Sequence, residues 1–342
     1  MYTREILESR PAPVENGIPL QGTWTRAFDE VDLLDIRKPY SFPLPKALKR
    51  FRVKEWESFI IQDENFFLQA RLSNHKYYSS AIVIMYNFET KEKLEFNKVI
   101  PGSRWRLPKN LKNASLDSHS YGFFFRIHSW LDTNRIMLDL NIESTRKRPA
   151  FTAHVTFDLA KGKTVPIAVS LLFTEYRNMY AYKVLTGVEG EVFTGGQHIH
   201  FSPDKTSGLF CDFKGYYPIR SYSTWCSGMG FDEKNRRYGF SLGENQTREP
   251  FSNNENALWV DGSLTPLPPV KITQNGSYES DWIIQDMEGM VDLVFTPKEQ
   301  KSSVHDYENT LGVFNGLLLN KEGEELPVRN AWGTGEKLYL RV

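Results

Sequence analysis

Short turn signals recur along this sequence, and each one separates two runs of apolar or alternating residues. Gly195-Gly196, for example, joins residues 191–194 to residues 197–201. Further turn signals stand at Asp63-Glu64-Asn65, residues 89–93, residues 232–236, Asp261-Gly262 and residues 320–323. Glycine and asparagine supply the positive φ values that tight hairpins need. Their spacing predicts a meander of short antiparallel strands, and therefore an all-β fold.

Alternation within the runs supports the same fold class. In residues 136–143, Leu138, Leu140 and Ile142 share one face, and the residues between them are polar. A period of two is typical of a strand that is buried on one face.

Helical periodicity is scarce. The best candidate is residues 44–57, where Pro45 stands near a first turn and Leu48 and Phe51 are three positions apart. This spacing predicts one short helix and does not change the fold class.

A chain of 342 residues accommodates one large β domain or two similar β units. We expect an N-terminal segment over residues 1–40, a first β unit over 41–180 and a second over 181–342. No residue-level repeat relates the two halves, so this division follows from length and hairpin texture.

Charge and cysteine content exclude several classes of protein. Lys+Arg and Asp+Glu are both 42, so the basic excess of a nucleic-acid binder is missing. The two cysteines, Cys211 and Cys226, provide neither a disulfide framework nor a zinc pattern. Charged residues near the N-terminus and the lack of a long apolar run predict a cytoplasmic protein without a membrane span.

The densest block of polar and aromatic residues lies in the second half. Asp212 and Lys214 are two residues apart, so on a strand they share a face and are close enough to pair. They form either a structural ion pair or a pocket in which Asp212 protonates a ligand and Lys214 supports it.

Asn254-Glu255-Asn256 is the second candidate. It is either a polar loop or a site in which Glu255 acts as general acid or base and Asn256 holds a hydroxyl or carbonyl group. An Asp212/Glu255 pair could also perform glycoside chemistry, for which the separation of the two carboxyl groups sets the stereochemical outcome.

His198 and His200 share a face of a strand and could chelate a metal, with Asp204 nearby. No later histidine stands at an obvious ligand position, so we predict exposed histidines and no metal. Phosphate-binding, dinucleotide-binding and nucleophile-elbow motifs are also missing, and we expect no cofactor.

Several motifs, in this order and spacing, resemble the DUF2804 family, a bacterial family named as a domain of unknown function. They are Lys54-Glu55-Trp56, Tyr182-Lys183, residues 208–218, Trp225, residues 239–243, residues 254–262, residues 291–297, residues 312–316 and Ala331-Trp332. The resemblance extends from about residue 40 to the end. That family is similar to double-lipocalin proteins that include carotenoid hydratases and the AttH-like group. The resemblance implies two lipocalin-like barrels or sandwiches that meet at a pocket.

We therefore expect a protein that binds a hydrophobic small molecule, such as a lipid or isoprenoid, with hydratase- or cyclase-type acid catalysis. The expected catalytic residues are Asp212 and Glu255. The expected ligand-binding residues are Lys183, Lys214, Tyr217, Trp225, Asn256 and Trp259. A carbohydrate-active protein with the same carboxylates and stacking tryptophans is one alternative, and a non-catalytic β scaffold is another. The sequence does not determine the oligomeric state.

Overall fold

A computed structural model describes residues 2–160, 164–277 and 279–341. These residues form 25 strands, one α-helix, α1 (Lys46–Arg52), and two short 3-10 helices, Leu33–Asp35 and Leu131–Thr133. The strands up to residue 215 are β1 (Val14–Glu15), β2 (Ile18–Pro19), β3 (Gly22–Trp24), β4 (Lys54–Gln62), β5 (Phe66–Asn74), β6 (Tyr78–Asn87), β7 (Lys93–Pro101), β8 (Ala114–Ser120), β9 (Phe123–Trp130), β10 (Arg135–Ile142), β11 (Phe151–Asp158), β12 (Ile167–Leu172), β13 (Asn178–Thr194), β14 (Gln197–Phe201) and β15 (Ser207–Gly215).

The later strands are β16 (Arg220–Phe231), β17 (Arg237–Glu244), β18 (Ala257–Val260), β19 (Ser263–Pro266), β20 (Val270–Gln274), β21 (Trp282–Asp286), β22 (Val291–Pro297), β23 (Ser302–Val304), β24 (Tyr307–Leu319) and β25 (Glu325–Arg341). No helix in the described part of the chain is long and apolar enough to cross a membrane.

Two large curled antiparallel sheets make up most of the molecule, with β1 and β2 paired as a separate two-stranded sheet, and this confirms the predicted fold class. The first barrel, β3–β15, has 13 strands, with the central order β7-β6-β5-β4-β15-β13-β11-β10-β9-β8. The second barrel, β16–β25, has 10 strands, with the order β19-β18-β17-β16-β25-β24-β22-β21-β20. Every described strand pair is antiparallel, as hairpin connections require.

Three layers of apolar side chains hold the fold together. One fills the first barrel and includes Phe59, Phe210 and Tyr180. A second fills the second barrel. The third layer lies between the two sheets, where Trp56 of the first sheet and Trp225 of the second sheet belong to the same cluster. Strands β4, β13 and β15 are therefore buried on both faces.

The predicted hairpin turns are confirmed. Each of the six turn signals lies between two consecutive antiparallel strands, such as β13 and β14 around Gly195-Gly196. Positive φ values at Gly195, Gly196 and Asp261 are the conformations that these turns need. The alternation over residues 136–143 is confirmed as well, since Leu138, Leu140 and Ile142 are buried in β10.

The predicted helix over residues 44–57 is too long. The helix ends at Arg52, and β4 begins at Lys54, where the residues alternate between two buried faces. The division expected at residue 181 falls inside β13, and the chain passes from the first sheet to the second only between Gly215 and Arg220.

Residues 2–24 form an N-terminal strap across both sheets. Within it, β3 pairs with β12 in the first barrel. At its start, the Arg4 guanidinium donates hydrogen bonds to the backbone carbonyls of Asn254 and Asn256, which belong to the second half of the chain.

We expect Gly316→Ala to destabilise the second barrel. Gly316 lies at an irregularity in the pairing of β24 with β25 and has a φ of +140°. A Cβ there would lie 2.1 Å from the carbonyl oxygen of Asp292. Backbone strain and this clash should lower the free energy of unfolding by about 2 kcal/mol or more, measured by denaturant titration.

Gly230→Ala is the matched control. A Cβ at Gly230 would meet its nearest atom, the Tyr238 hydroxyl, at 3.4 Å, which is an ordinary contact. The control should stay within about 1 kcal/mol of the wild type. Equal losses in the two variants would contradict the role given to Gly316.

Candidate functional site

Strand β15 presents a different chemistry on each face. Phe210, Asp212 and Lys214 point into the first barrel, whereas Cys211 and Phe213 belong to the layer between the sheets. As predicted from their spacing, Asp212 and Lys214 form an ion pair, with 3.0 Å between Nζ and Oδ2.

Neighbouring strands bring two more polar side chains to Asp212 and Lys214. In the sheet register, Glu57 of β4 lies directly opposite Asp212, and Tyr180 of β13 lies opposite Lys214. Directly opposite residues have Cβ atoms about 5 Å apart. Glu57, Tyr180, Asp212 and Lys214 therefore form one buried group inside the first barrel, here called the carboxyl cluster.

The carboxyl cluster contains polar atoms that the protein itself does not satisfy. Among the described residues, neither carboxyl oxygen of Glu57, nor Oδ1 of Asp212, nor the Tyr180 hydroxyl has a hydrogen-bond partner. Glu57 and Asp212 are both fully buried. Buried polar atoms are almost always hydrogen-bonded, so four unpartnered atoms in one cluster point to a ligand or to chemistry.

Burial and the neighbouring Asp212 charge raise the pKa of Glu57 to about 8, although Lys214 opposes the shift. Burial also raises the pKa of Asp212, but Lys214 donates a hydrogen bond to it and favours its charged form. Two carboxyl groups that share one cation retain one proton near neutral pH. That proton belongs on Glu57, which is then a neutral acid beside an ionised Asp212.

A cavity of about 220 Å³ opens at the adjacent end of the first barrel. This mouth cavity is lined by residues 31–34, Arg50, Val53, Glu55, Lys76, Ser103, Arg106, Leu107, Lys109 and Lys214. Lys214 lines the cavity and also binds Asp212, so the ammonium group separates the cavity from the two carboxyl groups.

Glu255 occupies a different place, between the two sheets. Its Oε2 lies 2.8 Å from the Lys183 ammonium, and its Oε1 accepts hydrogen bonds from Trp225 (3.0 Å) and Asn245 (2.9 Å). Lys183 also donates to the Ser241 hydroxyl at 3.0 Å. Lys183 comes from the first barrel and Glu255 from a loop of the second, so this ion pair ties the two together.

The other predicted ligand-binding residues are also engaged in packing. The Tyr217 ring packs against the rings of Trp56 and Phe173 in the layer between the sheets, with 5.3 Å between ring centres in each pair. Asn256 accepts from the Gly243 amide and donates to the Pro268 carbonyl. Trp259 donates from its indole to the Val165 carbonyl and is fully buried.

The predicted site residues thus separate into two groups. Asp212 and Lys214 lie inside the first barrel, whereas Lys183, Tyr217, Trp225 and Glu255 lie between the two sheets. Asp212 and Glu255 do not form a pair, because Lys183, which holds Glu255, is in register with Cys211 and not with Asp212.

Glu57 and Tyr180 were not predicted as site residues. The sequence does contain a signal for Glu57. This residue shares a strand face with Phe59 and Ile61, so its carboxyl group occupies a position that faces the core. Tyr180 carries no such signal, because an aromatic residue in a strand is ordinary core.

The two strand histidines are exposed. In His198 of β14, Nε2 lies 2.9 Å from Oε2 of Glu191 in β13. The His198 ring stacks on the ring of Phe193, also in β13. Across residues 2–160, 164–277 and 279–341, no group of three histidine, cysteine or acidic residues is placed to hold a metal ion.

Comparison with known proteins identifies a family and a fold. The family model described as "Domain of unknown function (DUF2804)" matches residues 4–341. Kievitone hydratase from Nectria haematococca is similar in structure, with a TM-score of 0.54 at 17% identity over 84% of this chain and 88% of that one.

The structure of CghA is also similar, with a TM-score of 0.56 at 10% identity over 85% of this chain and 89% of that one. CghA with Sch210972 matches with a TM-score of 0.55 at the same identity and coverage. These likenesses support the double-barrel fold. No curated protein matches the sequence.

Lys183→Met should destabilise the protein by about 3 kcal/mol, because it leaves the Glu255 carboxylate buried without its cation. Denaturant unfolding measures this loss. Lys234→Met is the control, since Lys234 and Glu324 form an exposed pair, and it should leave stability almost unchanged. A small loss in Lys183→Met would contradict a clamp between the sheets.

Glu57→Gln should weaken the dependence of stability on pH. Between the ordinary Glu pKa of 4.5 and about 8, the folded protein holds a proton on Glu57 that the unfolded chain has lost. The free energy of unfolding of the wild type therefore falls as pH rises through this window, by at most about 1.4 kcal/mol per pH unit for one group.

Glutamine has no titrating carboxyl group, so the slope should be shallower and the variant should gain stability relative to the wild type at pH 8. Denaturant titrations from pH 5 to pH 9 measure both effects. Glu64→Gln, at an exposed turn, should retain the wild-type slope. Identical slopes in the wild type and Glu57→Gln would refute the raised pKa.

Proposed function

This chain belongs to the DUF2804 family, and we propose that it binds a small molecule at the first barrel and adds water to a carbon–carbon double bond by acid catalysis. The observation that carries the proposal is the carboxyl cluster, a protonated Glu57 beside an ionised Asp212 with unpartnered oxygen atoms. Kievitone hydratase, which shares the fold, is named for a hydration reaction.

Glu57 is the proton donor in the proposed reaction. Its carboxyl proton goes to one alkene carbon, whose new C–H bond uses the π electrons and leaves a carbocation at the other carbon. Water attacks that carbon to form the C–O bond, and the excess proton of the water returns to the Glu57 carboxylate. The sum is the addition of one water molecule, with the enzyme unchanged. A pKa of about 8 suits this role, because the acid is protonated at neutral pH.

Asp212 and Tyr180 would act on the water and the cation. The unpartnered Oδ1 of Asp212 can accept a hydrogen bond from the attacking water, and Lys214 keeps that carboxylate charged. The Tyr180 ring already lies 5.9 Å from the Lys214 ammonium. An aromatic face at such a place stabilises a nearby positive charge, including a carbocation.

The cavity limits the size of the substrate. A volume of about 220 Å³ is small for a ligand pocket, so it accommodates a compact molecule or one end of a longer one. The substrate has to displace Lys214 from the cavity floor to reach Glu57 and Asp212. We infer that substrate binding and rearrangement of Lys214 occur together.

The carbohydrate-active alternative has less support. It needs Asp212 and Glu255 together and tryptophans exposed for stacking, whereas these carboxyl groups lie on opposite faces of a sheet. Trp225 and Trp259 are 4% and 0% exposed. A non-catalytic scaffold would convert no compound and incorporate no labelled water.

Hydration can be tested without a known substrate. A metabolite extract of the native host is incubated with the protein in ¹⁸O-labelled water and analysed by mass spectrometry. We expect at least one compound to be replaced by a product heavier by one labelled water molecule. Glu57→Gln should abolish this conversion, because the amide cannot donate the proton and recover it.

Glu64→Gln is the matched control and should convert the same compound at the wild-type rate. Native mass spectrometry of the protein purified from its host adds an independent measurement, since a bound substrate or product should co-purify. Conversion that persists in Glu57→Gln would exclude Glu57 as the acid. An extract that the wild type leaves unchanged would reject hydration.

A further inference from the structure

We propose that the molecule bound in the mouth cavity carries an anionic group, a carboxylate or a phosphate, and that Arg50 and Arg106 bind this group. The inference rests on the proposed function in one respect, since it names the substrate class of the same site.

Cationic side chains outnumber acidic ones around the mouth cavity. The cations are Arg50, Lys76, Arg106, Lys109 and Lys214, and the acids are Asp32 and Glu55. The protein as a whole has no net charge, so this local excess is a property of the cavity and not of the composition. A cleft lined by one sign of charge attracts ligands of the opposite sign.

The three lysines already have acidic partners. Lys76 pairs with Glu55, and Lys214 pairs with Asp212. Lys109 pairs with Asp32 and lies 3.5 Å from Glu30. Asp32 and Glu55, the two acidic residues of the cavity lining, are therefore both paired with lysines and do not neutralise an arginine.

The two arginines are the cations without a partner. Within the described ranges, neither the Arg50 nor the Arg106 side chain has a hydrogen bond or an ion pair to another residue, and both are exposed. Burial, together with the charges of Lys214 and Arg50, lowers the pKa of Lys76 despite its Glu55 partner. The cations of the cavity therefore repel one another, and an anion between them would relieve this repulsion.

Both arginines project from anchored backbone. Arg106 lies between Trp105 and Leu107, which are buried in the first barrel. Arg50 belongs to α1, where the neighbouring Lys49 ammonium donates a hydrogen bond to the Leu34 carbonyl at 3.1 Å. Guanidinium groups bind carboxylates and phosphates through paired hydrogen bonds, and the anchored backbone keeps both arginines at the cavity.

The rest of the lining indicates what the anion is attached to. Val31, Leu33, Val53 and Leu107 supply an apolar wall beside the charged groups. This combination fits a molecule with an apolar body and an acidic head. The head would be held at the entrance by the arginines, and the body would point towards Lys214 and the carboxyl cluster.

A matched pair of probes tests the inference. Cinnamate and cinnamyl alcohol share an apolar body and a double bond and differ in the charge of the head. Isothermal titration calorimetry of the full chain should show cinnamate binding at least about tenfold more tightly than the alcohol, and the advantage should shrink at high salt.

The double substitution R50Q/R106Q should remove the preference for cinnamate. Both positions are exposed, and a thermal melt verifies that the variant is folded. The control Arg146→Gln removes an exposed arginine from a distant turn and should keep the preference. Equal affinities of the wild type for the two probes, no measurable binding of cinnamate, or a preference that survives in R50Q/R106Q would each overturn the anion site.

Binding and hydration can fail separately in these experiments. Glu57→Gln lacks the proposed proton donor but keeps both arginines, so it should still prefer cinnamate. A wild type that prefers cinnamate and adds no labelled water to any compound upholds the anion site and rejects hydration. A wild type that adds water but binds the two probes equally does the reverse.

Discussion

Strands β4, β13 and β15 are buried on both faces, and the placement of the buried ionisable side chains of Glu57, Lys183, Asp212 and Lys214 depends on this. Side chains alternate between faces along a strand, so the parity of a residue decides which core it enters. Asp212 and Lys214 enter the first barrel, and Cys211 and Phe213 enter the layer between the sheets. Two chemically separate environments are thus built by neighbouring residues, and a shift of register by one residue would exchange them.

The buried charges of the molecule differ in which parts of the structure they join. Lys183–Glu255 and Arg71–Glu336 (3.2 Å) both cross from one sheet to the other, and their partners include Trp225 and Tyr307. Ion pairs of this kind contribute little net stability but are costly to break, so they fix how the two barrels sit against each other. The carboxyl cluster lies within the first barrel alone, and neither oxygen of its Glu57 carboxyl group has a partner among the described residues.

Local chemistry made much of the fold predictable from sequence. The Gly195-Gly196 turn and the alternation over residues 136–143 depend on neighbours in the chain, and both are confirmed. The Asp212–Lys214 pair was predictable for the same reason, because two residues on one strand face are close whatever the rest of the chain does. The position of Glu57 beside Asp212, and of Lys183 away from it, depends on register between strands that are distant in sequence. Turn chemistry and alternation contain no information about that register, so the predicted pocket combined residues from two faces of one sheet.

The N-terminal strap has a consequence for the order in which the molecule assembles. Arg4 binds the carbonyls of Asn254 and Asn256, about 250 positions later in the chain. During synthesis, the first residues therefore wait for their partners until the whole first sheet and strands β16 and β17 of the second have been made. Contacts of such large sequence separation form late, since the entropy of closing the intervening loop has to be overcome first. The strap is therefore a late contact that joins the start of the chain to the loop before β18, and it can form only after the whole first sheet has been made.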